Sequence, residues 1–123
     1  MFLCIMEMEK LLKNSEEFLI INMASIAANS GVGSNIAHCA IKAGMINITK
    51  SLAGSLAPKI RVNAINPGLT VTDLTKDWDT YCAEQIKNTP LGRLGTCDDI
   101  ANTVLSLFSK MKYVAGQNII VDW

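Results

Sequence analysis

The run FLIINM, Phe18 to Met23, is a near-continuous apolar stretch of strand length, the pattern of a parallel strand covered on both faces. A small polar stretch, SIAANSGVGSN, follows and reads as a loop. From Ala37 to Leu56 the residues Ile41, Met45, Ile48, Leu52 and Leu56 form one helical stripe. Ala40, Ala43, Ile46, Ala53 and Ala57 make a second face of smaller side chains, so a helix buried on two sides is expected, ended by Pro58. KIRVNAINPG then supplies a second strand, Arg61 to Ile65, halted at Asn66-Pro67-Gly68. Strand, helix and strand in this order predict an α/β fold, a parallel sheet with helices on its faces. In such sheets ligands bind beyond the carboxyl ends of the strands, where SIAANS and NPGLT lie.

Upstream, Ile5, Met8 and Leu12 recur at helical spacing between Phe2 and Leu12, and KNSEE breaks the pattern. No Ser, Thr, Asp or Asn precedes this helix, which gives the expectation of a chain cut from something longer. Downstream, Leu69 to Gly95 is mixed; Asp77 and Asp79 flank Trp78, and a short helix in a lid-like segment is expected. Thr96-Cys97-Asp98-Asp99 resembles a capping box, with Thr96 as N-cap and Asp99 at the third helical position, ahead of Ile100, Ala101, Val104, Leu107 and Phe108. GQNIIVDW closes the chain as a third strand. Residues 1–123 read as one domain, without internal repeat, low-complexity tract or linker.

The charge balance narrows the partners. Eleven basic and eleven acidic side chains leave no net charge on 123 residues, half of them hydrophobic. No basic excess favours nucleic acid or an anionic membrane surface, so a small molecule or another protein surface is the expected partner. No apolar run reaches about 18 residues, the lower bound for a spanning helix, and no secretory pattern opens the chain, so a cytoplasmic location is expected. Cys4, Cys39, Cys82 and Cys97 are scattered without a CxxC pair, and His38 is the only histidine. Free buried thiols and no metal site are therefore expected.

GVGSNIAHCAIK, Gly31 to Lys42, invites comparison with a dinucleotide-binding turn and fails it. The turn needs a Gly directly after a strand, a third Gly where Ile36 stands, and an acid about 20 residues on at the next strand's end. Other features of the stretch carry more. His38 and Lys42 are four apart and share a helix face, which Ser25 at the end of the first strand could approach. Taken singly these are a hydrogen-bonded histidine at a helix start, a solvated lysine and a loop hydroxyl.

Taken together they resemble a family. INMASIA, the thirteen-residue step from Ser25 to His38, the four further to Lys42, and AGMINITKSLAGSLAPKIRVNAINPG are similar to the C-terminal half of the short-chain dehydrogenase/reductase superfamily. PGLTVTDL, PLGRLG before an acidic helix start, and GQNIIVDW match it in the same order, and within it the likeness is to the 3-oxoacyl-[acyl-carrier-protein] reductase type. The resemblance implies a partial Rossmann-like doubly wound parallel sheet, a truncated half-domain holding the last three strands with their flanking helices. It implies an NAD(P)-dependent carbonyl reductase, with NAD or NADP as cofactor and the choice unread. Ser25 falls on the serine that hydrogen-bonds the substrate carbonyl, and Lys42 on the lysine that holds the nicotinamide ribose. Pro67 and Gly68 fall on the turn beside the nicotinamide, and Thr70 and Thr72 on its continuation toward the carboxamide or phosphate. Asn66 and Arg61 look like strand-end scaffold.

Two departures accompany the matches. The family's proton-donating tyrosine is replaced by His38, and the family's glycine loop, cofactor-selecting strand and catalytic asparagine all precede the first residue of this sequence. The histidine is not a neutral exchange: a phenolate is favoured beside an ammonium, whereas an imidazolium is disfavoured beside Lys42, leaving a poor proton donor. The resemblance also implies self-association through the Met1–Leu12 and Ala37–Leu56 helices and the C-terminal strand. A partner chain supplying the N-terminal half would cover the edge of FLIINM, which is otherwise an open template for pairing.

Overall fold

Three parallel strands in the order β1-β2-β3 form the sheet, so the strand that follows the long helix lies at its centre. The computed structural model describes residues 1–12, 18–31, 34–75 and 78–122, with the side chains of Lys10 and Asp79 excepted. The KNSEE break, Gly33, Asp77 and the Asp79 side chain lie outside the described residues. The elements are α1 (Phe2–Leu12), β1 (Phe18–Met23), α2 (Ala27–Ser30), α3 (Ile36–Leu56), β2 (Ile60–Pro67), α4 (Asp79–Asn88), α5 (Cys97–Ser109) and β3 (Asn118–Val121).

Burial explains why β2 takes the centre. Val62, Asn63, Ala64, Ile65 and Asn66 are 0% exposed, as a strand covered on both faces requires. Ile60 and Val62 pack with Ile5 of α1 and with Leu52, Ala53 and Leu56 of α3, while Ala64 packs with Ala24 and Ile46. Arg61, alternate to these, reaches the other face, where its guanidinium donates to the carbonyls of Leu107 at 3.2 Å, Met111 at 3.1 Å and Val114 at 3.2 Å. Each large side chain removed from water in this way contributes about 1.5–3 kcal/mol.

The apolar run of β1 is interrupted by Asn22, whose amide donates to Thr49 Oγ1 of α3 at 2.8 Å inside the core. Thr49 in turn donates to the Met45 carbonyl at 2.9 Å, so the buried polar group is satisfied and pins strand to helix.

Several expectations are corrected. The SIAANS loop contains a four-residue helix, α2, too short to show periodicity; Gly31 closes it at φ +69°, and its N–H bonds the Ala27 carbonyl at 3.1 Å. Helix α3 begins one residue before Ala37, because Asn35 caps it by accepting the His38 N–H at 2.8 Å. Strand β2 runs beyond Ile65 to Pro67, because Asn66 and Pro67 pair with Ile120 and Val121 of β3. Neither face of α3 is buried along its whole length: Ile46 and Ala53 of the second face are buried with Leu52 and Leu56 of the first, whereas Ala40, Ala43 and Ala57 are exposed and Ile41 of the first stripe is 66% exposed. The four cysteines are free, as expected, but only Cys39 is buried; Cys82 is half-buried, and Cys4 and Cys97 are exposed. The Thr96–Asp99 capping box of α5 and the short helix within 69–95 stand as read.

Among the described residues, no helix is long and apolar enough to cross a membrane and no cluster of three metal-ligating side chains occurs.

Candidate active site

The carboxyl end of β1 carries the first half of the site. The Ala24 N–H donates to the Ile65 carbonyl at 2.7 Å and so points toward β2. By the alternation of a parallel ladder the preceding carbonyl, that of Met23, faces the open edge. Lys42 Nζ donates to that carbonyl at 2.6 Å, which brings the α3 ammonium to the strand end two residues before Ser25. Ser25 Oγ accepts the Ala27 N–H at 3.2 Å at the entry to α2. His38 lies one turn before Lys42 on α3, half-buried, and its imidazole makes no hydrogen bond among the described residues. The structure thus places Lys42 beside the strand end that leads into Ser25, and links none of Ser25, His38 and Lys42 directly by hydrogen bonds.

The carboxyl end of β2 carries the second half. The Ile26 N–H donates to the Pro67 carbonyl at 3.2 Å, joining the Ser25 segment to this turn. Gly68 donates its N–H to Val121 at 2.9 Å, and a Cβ on Gly68 would fall on the Asp122 carboxylate. A side chain at this position would have to displace the Asp122 side chain, which follows β3. Thr70 Oγ1 donates back to the Gly68 carbonyl at 3.1 Å. The turn then pairs with the approach to α5: Gly95 donates to Leu69 at 3.1 Å and Val71 to Gly95 at 2.9 Å. Thr72 is held through Thr75, whose hydroxyl accepts the Thr72 N–H at 2.8 Å. A cavity of about 130 Å³ lies beneath, lined by Leu69, Leu91, Arg93, Gly95, Val121 and Asp122.

The start of α5 is the charged buttress of this turn. Arg93 grips Asp99 with two hydrogen bonds, Nη1 to Oδ2 at 2.7 Å and Nη2 to Oδ1 at 3.0 Å. The Thr96 N–H and hydroxyl each reach Asp99 Oδ2 at 2.8 Å. The Arg93 hydrogen bond first, then the Thr96 backbone and hydroxyl, hold the Asp99 carboxyl well below the usual carboxylate range.

Two structural roles are absent from the sequence reading. Asn63 donates to the Val114 carbonyl at 2.9 Å and accepts the Gln117 N–H at 2.9 Å, and Thr75 ties the Thr70–Thr72 segment. Both were signalled only by polarity within an apolar or turn-like context. Of the two expected scaffold residues, Arg61 is one. Asn66 is fully buried, and neither its amide nitrogen nor its oxygen has a hydrogen-bond partner among the described residues.

The Ser25 hydroxyl and the Lys42 ammonium lie at one strand end, His38 stands one turn before Lys42 on α3, and a glycine-threonine turn leaves the neighbouring strand at the same carboxyl edge of the sheet. Known proteins are similar to the chain in sequence and fold. The family model described as enoyl-(acyl carrier protein) reductase matches residues 1–123. The 3-oxoacyl-[acyl-carrier-protein] reductase of Chlamydia pneumoniae is 44% identical over 106 residues, covering 84% of this chain and 43% of that reductase. A 4-hydroxyisoleucine dehydrogenase complexed with NADH superposes with a TM-score of 0.85 at 29% identity, covering 98% of this chain and 52% of the other. A small-chain dehydrogenase in complex with NADPH gives 0.77 at 35% identity, covering 85% and 49%. The chain belongs to the short-chain dehydrogenase/reductase superfamily of Rossmann-like oxidoreductases. Within it, the chain is similar to 3-oxoacyl-[acyl-carrier-protein] reductases, and it spans about half the length of the curated relatives it matches.

Proposed function

We propose that this chain is the substrate-side half of an NAD(P)-dependent carbonyl reductase of the 3-oxoacyl-[acyl-carrier-protein] reductase type, inactive as an isolated chain. The observation that carries this reading is the gathering of Lys42, the Ser25 segment and the Pro67–Thr72 turn at the carboxyl ends of two neighbouring parallel strands. Relatives that hold NADH and NADPH support the class of cofactor.

The residues fit one end of such a cofactor. Lys42 spends one of its three N–H groups on Met23, which leaves two for a ribose. Pro67 and Gly68 with the hydroxyls of Thr70 and Thr72 supply a flat, polar wall for a nicotinamide and its carboxamide. The Gly31 stretch supplies no glycine cradle for the pyrophosphate, because it lacks the fingerprint and Gly31 itself closes α2. When bound, a nicotinamide dinucleotide supplies the hydride. Ser25 then donates a hydrogen bond to the carbonyl oxygen of the substrate, and the proton for the resulting alkoxide falls to His38. With an imidazole where the family resemblance places a phenol, carbonyl reduction is slow even when the missing half is supplied.

A second reading, a non-catalytic association module, is favoured by the surface. On α1, Leu3 and Leu11 are 78% and 76% exposed, and on α3 Ile41 is 66% exposed. In this reading the chain, held in the cytoplasm, meets copies of itself through the Met1–Leu12 and Ala37–Leu56 helices and the C-terminal strand, or meets an N-terminal half along β1.

Titration of the purified chain with NADH and NADPH, following nucleotide fluorescence and unfolding temperature, separates the two. Saturable binding with a raised melting temperature supports the reductase half. A folded chain that takes up neither nucleotide at millimolar concentration is not a reductase by itself; if uptake is still absent with an N-terminal half supplied in trans, the reductase reading falls and the association module is left.

A further inference from the structure

We propose that Thr75 is a positioning residue that fixes the nucleotide-facing segment Thr70–Thr72 and fastens α4 to it, so that turn and lid hold one geometry. The proposal rests on the reading of Pro67–Thr72 as the nicotinamide wall.

Thr75 is 8% exposed, although it sits in a turn of otherwise half-buried or exposed residues. Its hydroxyl is used in both directions. It accepts the Thr72 N–H at 2.8 Å, and its own proton is shared between the carbonyls of Thr70 at 3.1 Å and Thr72 at 3.2 Å. The Thr75 N–H adds a bond to the Thr72 carbonyl at 3.0 Å. One side chain therefore closes the segment that carries both threonine hydroxyls, and it lies 3.5 Å from Thr72 Oγ1 itself. Thr75 has no free face of its own toward a ligand; it acts through Thr72.

The backbone of the same residue holds the lid. The Thr75 carbonyl accepts the Trp78 N–H at 3.1 Å, and Cys82 Sγ from the first turn of α4 lies 3.9 Å from it. From the opposite side Cys97 Sγ approaches the Val71 carbonyl at 3.7 Å, and Gly95 pairs with Leu69 and Val71. The segment is thus tied to α5 by its first residues and to α4 by its last. The hydroxyl of Thr75 is the link between the two ties.

The test compares Thr75→Val, which keeps the shape and removes the hydroxyl, with Thr75→Ser, which keeps the hydroxyl. Hydrogen exchange of the Thr72 amide is measured by NMR on the nucleotide-free chain, and NADH and NADPH affinities are measured by fluorescence. Losing a buried hydrogen bond predicts exchange at least about tenfold faster in Thr75→Val, with wild-type protection in Thr75→Ser and the global unfolding temperature setting the ceiling. Nucleotide affinity is expected to fall about tenfold in Thr75→Val and to stay unchanged in Thr75→Ser. Unchanged Thr72 exchange in a folded Thr75→Val chain overturns the proposal, whatever the nucleotide does. Faster exchange with unchanged affinity overturns the link to binding. If the wild-type chain takes up neither nucleotide, Thr72 exchange alone decides whether Thr75 holds the turn, and the affinities are measured with an N-terminal half supplied in trans, where continued absence of uptake means that the reductase reading fails instead. Should Thr75→Val not fold, loss of Thr72 protection in a folded Thr75→Ala chain supports the proposal and retention overturns it.

Discussion

The carboxyl ends of β1 and β2 sit side by side and are built to different standards. At the end of β2, Gly68, Thr70, Val71 and Thr72 are each hydrogen-bonded to a neighbour, with β3, Thr75 and the approach to α5 all contributing. At the end of β1, Ser25 Oγ serves only the start of a four-residue helix, the His38 ring has no hydrogen bond among the described residues, and one lysine contact crosses to the strand. A central strand has neighbours on two edges to organise its exit, and an edge strand has one. The turn proposed as a cofactor wall is therefore preassembled in this chain, whereas the groups proposed for chemistry are not.

The largest test of that contrast compares the strands themselves. Ile65→Ala in β2, at a position 0% exposed, is expected to cost about 2–5 kcal/mol in denaturant unfolding. Ile21→Ala in the half-buried edge strand should cost less than half as much, and equal losses would erase the distinction. Next comes the Gly68 contact. Gly68→Ala should cost about 1–3 kcal/mol through the Asp122 carboxylate, and Asp122→Gly in the same chain should restore most of it. If the double variant is no better than the single, Asp122 is not what the glycine accommodates.

Smaller still is the cap beneath the turn. Thr96→Ala should remove about 0.5–2 kcal/mol, read as a lowered melting temperature. Because the Asp99 carboxyl is held below its unfolded value, its stabilisation is fully present above that value, about 3.9, and is lost as pH falls toward the folded one. Wild type should therefore lose stability relative to Asp99→Asn below about pH 4, and parallel curves would contradict the Arg93 pairing. The smallest change in stability, within about 0.5 kcal/mol, is expected for Lys42→Met at the loosely built end. His38→Tyr tests that end chemically: with an N-terminal half supplied in trans, reductase activity should rise at least about tenfold, the scale of restoring a working general acid. No gain would mean that the histidine is not what limits the site.

Much of this was legible before any coordinates. Phe2–Leu12 and Phe18–Met23 are bounded as their patterns predict, and the Thr96–Asp99 box is visible in four letters, because periodicity and capping are local. The common face of His38 and Lys42 and the strand-end place of Ser25 were readable as spacing and pattern, whereas the roles of the Pro67–Thr72 turn came with the family resemblance. What escaped is long-range or too short. Helix α2 has too few residues to show a period, and Asn63 takes its meaning from Val114 and Gln117, about fifty residues on. Cys4 and Cys97 look like buried thiols until the helices carrying them are seen to turn them outward.

Arg61 gives one further consequence. Its guanidinium gathers carbonyls from the end of α5 and from the connection that follows, and that connection leads directly into β3. The spacing between Leu107 and Val114 is thereby gauged by a single planar fork. An inserted residue there would shift the partners out of its span and carry β3 out of register with β2. Lysine, with one point of charge in place of five fixed donors, could not take the same measure. Natural length variation should be scarce between Leu107 and Val114 and freer in the 80s, where no side chain among the described residues spans the segment in this way.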